Sequence, residues 1–352
     1  MPREYAIDVI AGDGIGQEVI PAAIRCVDHI AEQLGFRINW RHRDWGSDHY
    51  LRNGSMMPDD GLDQLRDGDG ILLGAVGHPD IDDTETLWGL LIPIRREFQQ
   101  YINLRPARTL AGVASPAGGK KFDMLIVREN TEGEYSEIGG RYGRGTSGET
   151  AVQESIFTRS GIERVSRFAC RVAAKRSKRL TSATKSNGII HTMPFWDEIV
   201  GEVAERAGIE VDKVLIDALA ARFVLHPESV DVVVASNLFG DILSDLAAAM
   251  SGSIGIAPSA NLNPEGDFPS LFEPVHGSAP DIAGQGLANP VAAIWAASMM
   301  LDHLGEKSAA TRLETAFSTC LETGVATADL GGRHTTAEFA QAVIDLLDTS
   351  DD

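Results

Sequence analysis

Residues 230–250 read VDVVVASNLFGDILSDLAAAM. A short β-branched run, VDVVVAS, ends at a serine and an asparagine, and an apolar helical pattern follows at once. The same order recurs along the chain. YAIDVIAG at 5–12 precedes an amphipathic stretch from about Gly16 to Leu34, and RLTSATK and VDKVLIDA each precede a helical segment. FRINW, GILLGAV at 70–76 and DMLIVRE at 123–129 read as further strands. Short apolar runs alternating with helices predict an α/β protein of parallel βαβ units. Two stretches interrupt the pattern: the glycine-rich, polar 139–155 reads as an extended arm, and 251–269 as an irregular connection.

The helix after VDVVVAS carries two aspartates. At about 100° per residue, Asp241 and Asp245 stand about 40° apart on one face. Leu238, Phe239, Ile242, Leu243, Leu246, Ala247, Ala248, Ala249 and Met250 fill most of the rest, with Ser244 the other polar side chain. A helix apolar nearly all round is expected to be buried. On a surface the two like charges would cost only about 0.2–0.5 kcal/mol. Buried and unpaired, an ionised carboxylate costs on the order of several kcal/mol, so the pair calls for a cation. Oxygen ligands suit Mg²⁺ or Mn²⁺; arginine partners are the rival. Asp217, at the end of VDKVLID, is a candidate third oxygen ligand or a helix N-cap.

The chain has 352 residues, 43% of them hydrophobic, which suits two domains. Fifty-one acidic against 31 basic residues give a net charge of −20. That balance disfavours nucleic acid and anionic membranes as partners. A local arginine cluster can still hold a small anion, because salt screens distant charge over about 8–10 Å. Cys26, Cys170 and Cys320 are isolated, without metal or redox spacing, and suggest a reduced, cytoplasmic setting. No signal peptide is expected from MPREYAIDVIAG. The apolar run at 290–301 is too short for a membrane span and reads as a buried helix. The C-terminal DTSDD reads as solvated.

Arginines cluster in IPIRREF (Arg95, Arg96), NLRPAR (Arg105, Arg108) and IVREN (Arg128). Guanidinium forks grip carboxylates in a bidentate way; for Arg96 and Arg108, ordinary salt bridges are the better expectation. Lys185 in TSATKSNG and Tyr135 in RENTEGEY can act as base and acid if their surroundings shift them. Neither stands out by spacing. AGDGIGQEV follows a strand, with Gly12, Gly14 and Gly16, but Gln17 stands where a dinucleotide fingerprint needs glycine. A tight strand–helix turn is the simpler reading. In HGSAPDIAG, Gly277, Ser278 and Ala279 are small enough for close approach to phosphate, and Asp281 could accept from ribose.

Taken in order, IAGDGIG, NLRP, VRENTEGEY, TKSNG, NLFGDILSDL and LFEPVHGSAPDIAG through LANP resemble the β-decarboxylating dehydrogenases. That family includes the isopropylmalate, isocitrate, homoisocitrate, tartrate and D-malate dehydrogenases. The resemblance runs from about residue 7 to 305. TLWGLLIPIRREFQQYINLRP and GIAPSANLNPE are similar to the branch acting on tartrate and D-malate.

The resemblance implies a two-domain, non-Rossmann, isopropylmalate dehydrogenase-like α/β fold. The first, cofactor-side domain would combine 1–100 with 252–352. The second, 101–251, would carry the dimer contacts and the arm. The implied assembly is a homodimer whose active sites use both subunits. By the same resemblance Asp241 and Asp245 bind Mn²⁺ or Mg²⁺ with Asp217 from the second copy, which also brings Lys185 to take the hydroxyl proton. Arg95, Arg105 and Arg128 hold carboxylates, and Tyr135 protonates the enolate. His276, Gly277, Ser278, Ala279, Asp281, Ile282 and Asn289 cradle the adenosine part. Asp281 and Ile282, where NADP-dependent relatives tend to carry Lys and Tyr, favour NAD. K⁺ is a further possible activator.

Trp88 and Leu91 would face the substrate substituent. Trp88 stands where isopropylmalate enzymes place a glutamate, so a 2-hydroxy diacid such as D-malate or tartrate is the expected substrate. 3-Isopropylmalate is the alternative. A non-catalytic, metal- and nucleotide-binding dimer is the alternative of another class.

Overall fold

The computed structural model describes residues 3–349; of the DTSDD tail, 350–352 lie outside the described residues. The strands in chain order are β1 Arg3–Gly12, β2 Phe36–His42, β3 Gly70–Ala75, β4 Ile102–Arg108, β5 Asp123–Glu129, β6 Gly139–Tyr142, β7 Thr150–Gln153, β8 Arg179–Thr184, β9 Glu210–Leu215, β10 Val232–Ala235, β11 Pro258–Leu262 and β12 Ser270–Pro274. The chain divides into two units, one of 1–100, 108–119 and 248–352, the other of 101–107 and 120–247.

In the first unit the strand order is β2-β1-β3-β12-β11. All pairs are parallel except β11 with β12. β3 is buried along its whole length, as its unbroken apolar run requires of a strand covered on both faces. Helix Gly16–Leu34 packs its apolar stripe inward and stops at Gly35, whose φ of 70° is the left-handed cap that glycine adopts without strain. Helix Val291–His303 is buried nearly all round, as the run at 290–301 predicts. The division differs from the one drawn on the sequence at 108–119 and at 248–251, both of which belong to this unit. The Arg108 guanidinium lies 4.5 Å from the Trp295 ring centroid and bonds Glu314 at 3.0 Å, and Ser115 Oγ donates to the Met250 carbonyl at 2.6 Å.

The stretch 251–269 is not irregular throughout. It contains β11, every residue of which is buried. Its polar members are satisfied from elsewhere: Asn261 Nδ2 donates to Glu273 at 2.7 Å. A proline start and buried polar residues hid this strand from an apolar-run reading.

In the second unit the order is β4-β5-β10-β8-β9, with β5, β10, β8 and β9 parallel. The arm is an antiparallel hairpin, β6 with β7, exposed along both strands. Helix Asn237–Ser251 leaves β10 and is not buried all round. Its inner side, with Leu243, Ser244, Ala247 and Ala248, is buried, whereas Ile242 is 53% exposed. The Asp241 and Asp245 side chains are 32% and 59% exposed. The aspartates thus share an open strip with an isoleucine, and burial alone does not force a cation on them. No helix among the described residues is long and apolar enough to cross a membrane.

Candidate active site

Parallel strands place their carboxyl ends on one edge, and in the second unit Arg128 stands there. Arg128 closes the apolar part of β5, and β10 runs directly into helix Asn237–Ser251. Gly240 lets the helix approach, since a Cβ there would stand 2.6 Å from Arg128 Cβ. The Arg128 side chain is 2% exposed. A buried guanidinium keeps its charge only if its fork is filled. Its Nε and one Nη donate to Asn237 Oδ1 at 3.0 and 2.7 Å, and it pairs with Asp241.

Arg105, from β4, reaches the same helix. Its Nη1 donates to Ser244 Oγ at 2.7 Å and to Asp245 Oδ1 at 3.0 Å, and Nη2 lies 3.6 Å from Asp241 Oδ1. Tyr135 donates its hydroxyl to Asp241 Oδ2 at 2.8 Å. Within the chain, then, arginines are the cations beside the two aspartates.

The electrostatics follow from this packing. Burial, then the neighbouring Asp241 carboxylate, pushes the Tyr135 phenol up to about 12, so it stays protonated. Burial also raises Asp245, and Asp241 adds to the rise, while Arg105 and Arg128 oppose it. A carboxylate shifted that way has charge to spare for a further cation. Two hard carboxylates four residues apart on an open strip fit a divalent ion. They do not complete a site, because no cluster of three or more His, Cys, Asp or Glu side chains suited to a metal occurs among the described residues.

Asp217 and Lys185 form a separate pair. Lys185 follows β8 and its ammonium bonds the Asp217 carboxylate. Asp217 is not the helix N-cap: helix Ile216–Leu225 begins one residue before it, and Leu215 is the cap. Lys185, through its hydrogen bond, holds the Asp217 carboxyl below its ordinary value.

The remaining candidates lie in the first unit. Arg95 is buried and donates to Glu273 Oε1 at 2.9 Å, while its Nε has no partner. Trp88 and Leu91 sit on a π-turn, Leu87–Leu91. The Arg96 guanidinium stands 4.9 Å from the Trp88 ring centroid, a cation–π contact.

The loop 276–289 is braced against the β1 turn. Ile15 N donates to the Ser278 carbonyl at 2.9 Å, and a Cβ on Gly14 (φ 52°) would stand 2.0 Å from that oxygen. The AGDGIG turn is therefore a tight strand–helix turn that packs on the loop. Glu18 accepts from Gly284 N at 2.5 Å. Gly277 faces open space, and Ala279 holds a positive φ of 40°. His276 Nδ1 lies 3.0 Å from the Gly277 carbonyl, its Nε2 is buried without a partner among the described residues, and burial pulls the ring's pKa below its ordinary value. Asp281 is exposed and Ile282 half-buried. An orphaned ring nitrogen, an open face at Gly277 and an exposed carboxylate fit a nucleotide. Asn289 is buried, donating to Asp329 at 3.0 Å and accepting from Val291 N at 3.0 Å.

Several residues of these clusters were not recognised from the sequence as partners: Ser244 and Asn237, which orient the arginines; Glu273, opposite Arg95; and Asp329, behind Asn289. Each partner lies more than 100 residues away or on another element, except that Asn289 and Asp329 are 40 apart. Asn237, opening the aspartate helix, carried the one local signal.

Residues 6–343 match the family model described as isocitrate/isopropylmalate dehydrogenase. The chain is 51% identical to the D-malate dehydrogenase [decarboxylating] of Escherichia coli over 99% of each chain. It is 50% identical to a probable tartrate dehydrogenase/decarboxylase of Bacillus subtilis over 98% of each. Among solved structures, isocitrate dehydrogenase from Methylococcus capsulatus superposes with a TM-score of 0.89 at 34% identity, covering 97% of this chain and 99% of the other. A β-decarboxylating dehydrogenase from Thermococcus kodakarensis gives 0.78 at 36%, covering 98% and 96%. The chain belongs to the isocitrate/isopropylmalate dehydrogenase family.

Proposed function

We propose that this family member is a decarboxylating dehydrogenase of a small 2-hydroxy diacid, oxidising D-malate to pyruvate and CO₂ with NAD, and accepting tartrate. The observation that carries the reading is the interlocked cluster of Arg105, Arg128, Tyr135, Asp241 and Asp245. It joins carboxylate-binding cations, paired metal-type carboxylates and a protonated phenol on one surface. A pure binding protein needs no phenol there.

In this reading Arg95, Arg105 and Arg128 hold the substrate carboxylates. Lys185, acting as its neutral amine, takes the C2 hydroxyl proton and becomes an ammonium as hydride leaves C2. The C3–carboxylate bond then breaks, CO₂ departs, and Tyr135 gives its proton to C3 of the resulting enolate. A bound Mn²⁺ or Mg²⁺, held by Asp241, Asp245 and Asp217, would supply Lewis-acid polarisation of the C2 oxygen in both steps. NAD would accept the hydride, its adenosine part held by Gly277, Ser278, Ala279, Asp281, Ile282 and Asn289, with His276 beside it.

Asp217 and Lys185 would come from a second copy of the chain. Support comes from Ile242, Val224 and Leu225, which are 53%, 52% and 58% exposed. Ile242 lies on the aspartate helix and the other two on the helix that carries Asp217. A homodimer would cover such apolar side chains while completing the ligand set. Trp88, backed by Arg96, fills the space a branched C3 substituent would need, which favours D-malate over 3-isopropylmalate. The test is NADH absorbance with D-malate, with and without chelator. Metal-dependent NADH formation with equimolar CO₂ is expected. No signal with D-malate, tartrate or 3-isopropylmalate overturns the reading.

A further inference from the structure

Glu134 precedes Tyr135, and its carboxylate leaves the segment for the helix that carries Asp241. Ser236 Oγ donates to Glu134 Oε1 at 2.8 Å, and Leu238 N–H donates to Oε2 at 3.0 Å. The Leu238 N–H belongs to the first turn, where helical amides lack partners and the positive end of the dipole favours an anion. One helical turn on, Asp241 accepts from Tyr135. Two consecutive residues thus grip one helix at two points.

The segment is held from behind as well. Gly133 N donates to the Ile156 carbonyl at 2.7 Å and Ile156 N returns a bond at 3.0 Å. Gly133 has a φ of 95°, which lets the chain turn toward the helix. Asn237 Nδ2 donates to the Glu132 carbonyl at 3.0 Å.

We infer that Glu134 is a positioning residue that fixes Tyr135, and the direction of its phenol, against the aspartate helix. The inference rests on the proposed role of Tyr135. Its two acceptor bonds set the register between segment and helix, and so place the Tyr135 hydroxyl. Nothing about it requires contact with substrate.

The test is a double-mutant cycle on the full-length enzyme with D-malate, Mn²⁺ and NAD. Glu134→Gln keeps the shape but turns an amide N–H₂ toward one of two donors. In the otherwise unchanged enzyme it should lower kcat by roughly 10- to 100-fold, as expected for loss of a charge-assisted hydrogen bond, with KM for both substrates within about twofold. In a Tyr135→Phe background the same change should cost less than about twofold, because residues acting as a unit are not additive. Equal losses in both backgrounds, or a rise in KM without a fall in kcat, overturn the inference. If Tyr135→Phe alone leaves kcat intact, the proton-donor reading fails instead. Should Glu134→Gln not fold, Ser236→Ala decides: it removes one of the two bonds, and its smaller loss must likewise vanish in the Tyr135→Phe background.

Discussion

Tyr135 and Asp241, 106 residues apart in the chain, meet with the phenol donating to a carboxylate oxygen at 2.8 Å. That contact joins the residue best placed to give a proton to a residue of the metal-type pair. Because burial and Asp241 raise the phenol to about 12, its neutral form is favoured by folding. Tyr135→Phe should lower kcat by roughly 10²- to 10⁴-fold with little change in NAD binding. Stability has a sign as well. Unfolded tyrosine ionises near 10 while the folded phenol holds its proton, so this stabilisation is full below about 10 and is lost between about 10 and 12. Steady-state kinetics with D-malate measures the first effect, and urea unfolding at alkaline pH, native against Tyr135→Phe, the second.

Asp245 gives a second expectation. Its folded carboxyl is raised, first by burial and then by Asp241, so its contribution favours the fold at acidic pH and is lost as pH rises through the carboxylate range. A divalent cation removes that penalty. Mn²⁺ at 100 times its Kd should stabilise the protein near neutral pH by about 2.7 kcal/mol per site, less at acidic pH, and not at all in Asp245→Asn. Thermal unfolding with and without metal reads the difference. An equal shift in Asp245→Asn would place the ion elsewhere.

Arg95 and Glu273 are both nearly buried and 2.9 Å apart, with side chains 9% and 8% exposed. Removing one member strands the other charge. Glu273→Gln should cost about 3–5 kcal/mol of stability, seen as a lower denaturation midpoint. A change under about 1 kcal/mol would mean that the pair is far better solvated than its packing implies.

Lys185→Ala should abolish turnover and leave NAD binding largely unchanged, with fluorescence titration as the check on binding. Substantial remaining activity would remove Lys185 from the proton path.

The loop 276–289 offers two independent handles on the proposed nucleotide contact. Gly14→Ala adds a Cβ 2.0 Å from the Ser278 carbonyl, at a φ of 52°. It should displace the loop and weaken NAD binding by about 5- to 150-fold, as strain of roughly 1–3 kcal/mol implies. Asp281→Lys with Ile282→Tyr should move preference toward NADP by giving the 2′-phosphate a cation in place of a carboxylate. An unchanged NAD/NADP ratio would show that Asp281 does not meet the ribose.

Much of this architecture is legible from local pattern. VDVVVAS and GILLGA announce buried parallel strands because both faces are covered and every position can be apolar. β11 was not legible: Ser259 and Asn261 are buried, and Asn261 is satisfied by Glu273, twelve residues on. The aspartate helix was half legible. Its periodicity located Asp241 and Asp245 on one face, but the open strip at Ile242 depends on which neighbours pack there. Arg105 and Arg128 could be picked out as guanidiniums in apolar strand surroundings, although Arg105 stands at the middle of β4 rather than at its end. That both reach the aspartate helix, Arg105 at Asp241 and Asp245 and Arg128 at Asp241, is a fact of topology, across 113 to 140 residues of chain.

The sharpest test of the shared site mixes two inactive chains. Asp217→Asn and Asp241→Asn homodimers each lack a ligand in both sites. When they are dissociated and reassociated in equal amounts, half of the dimers should be mixed. In each of those, one site carries both defects and the other neither. Metal-dependent NADH formation from D-malate should therefore return to roughly a quarter of the native rate. No recovery, with mixed dimers demonstrably present, would contradict a centre built from two copies of the chain.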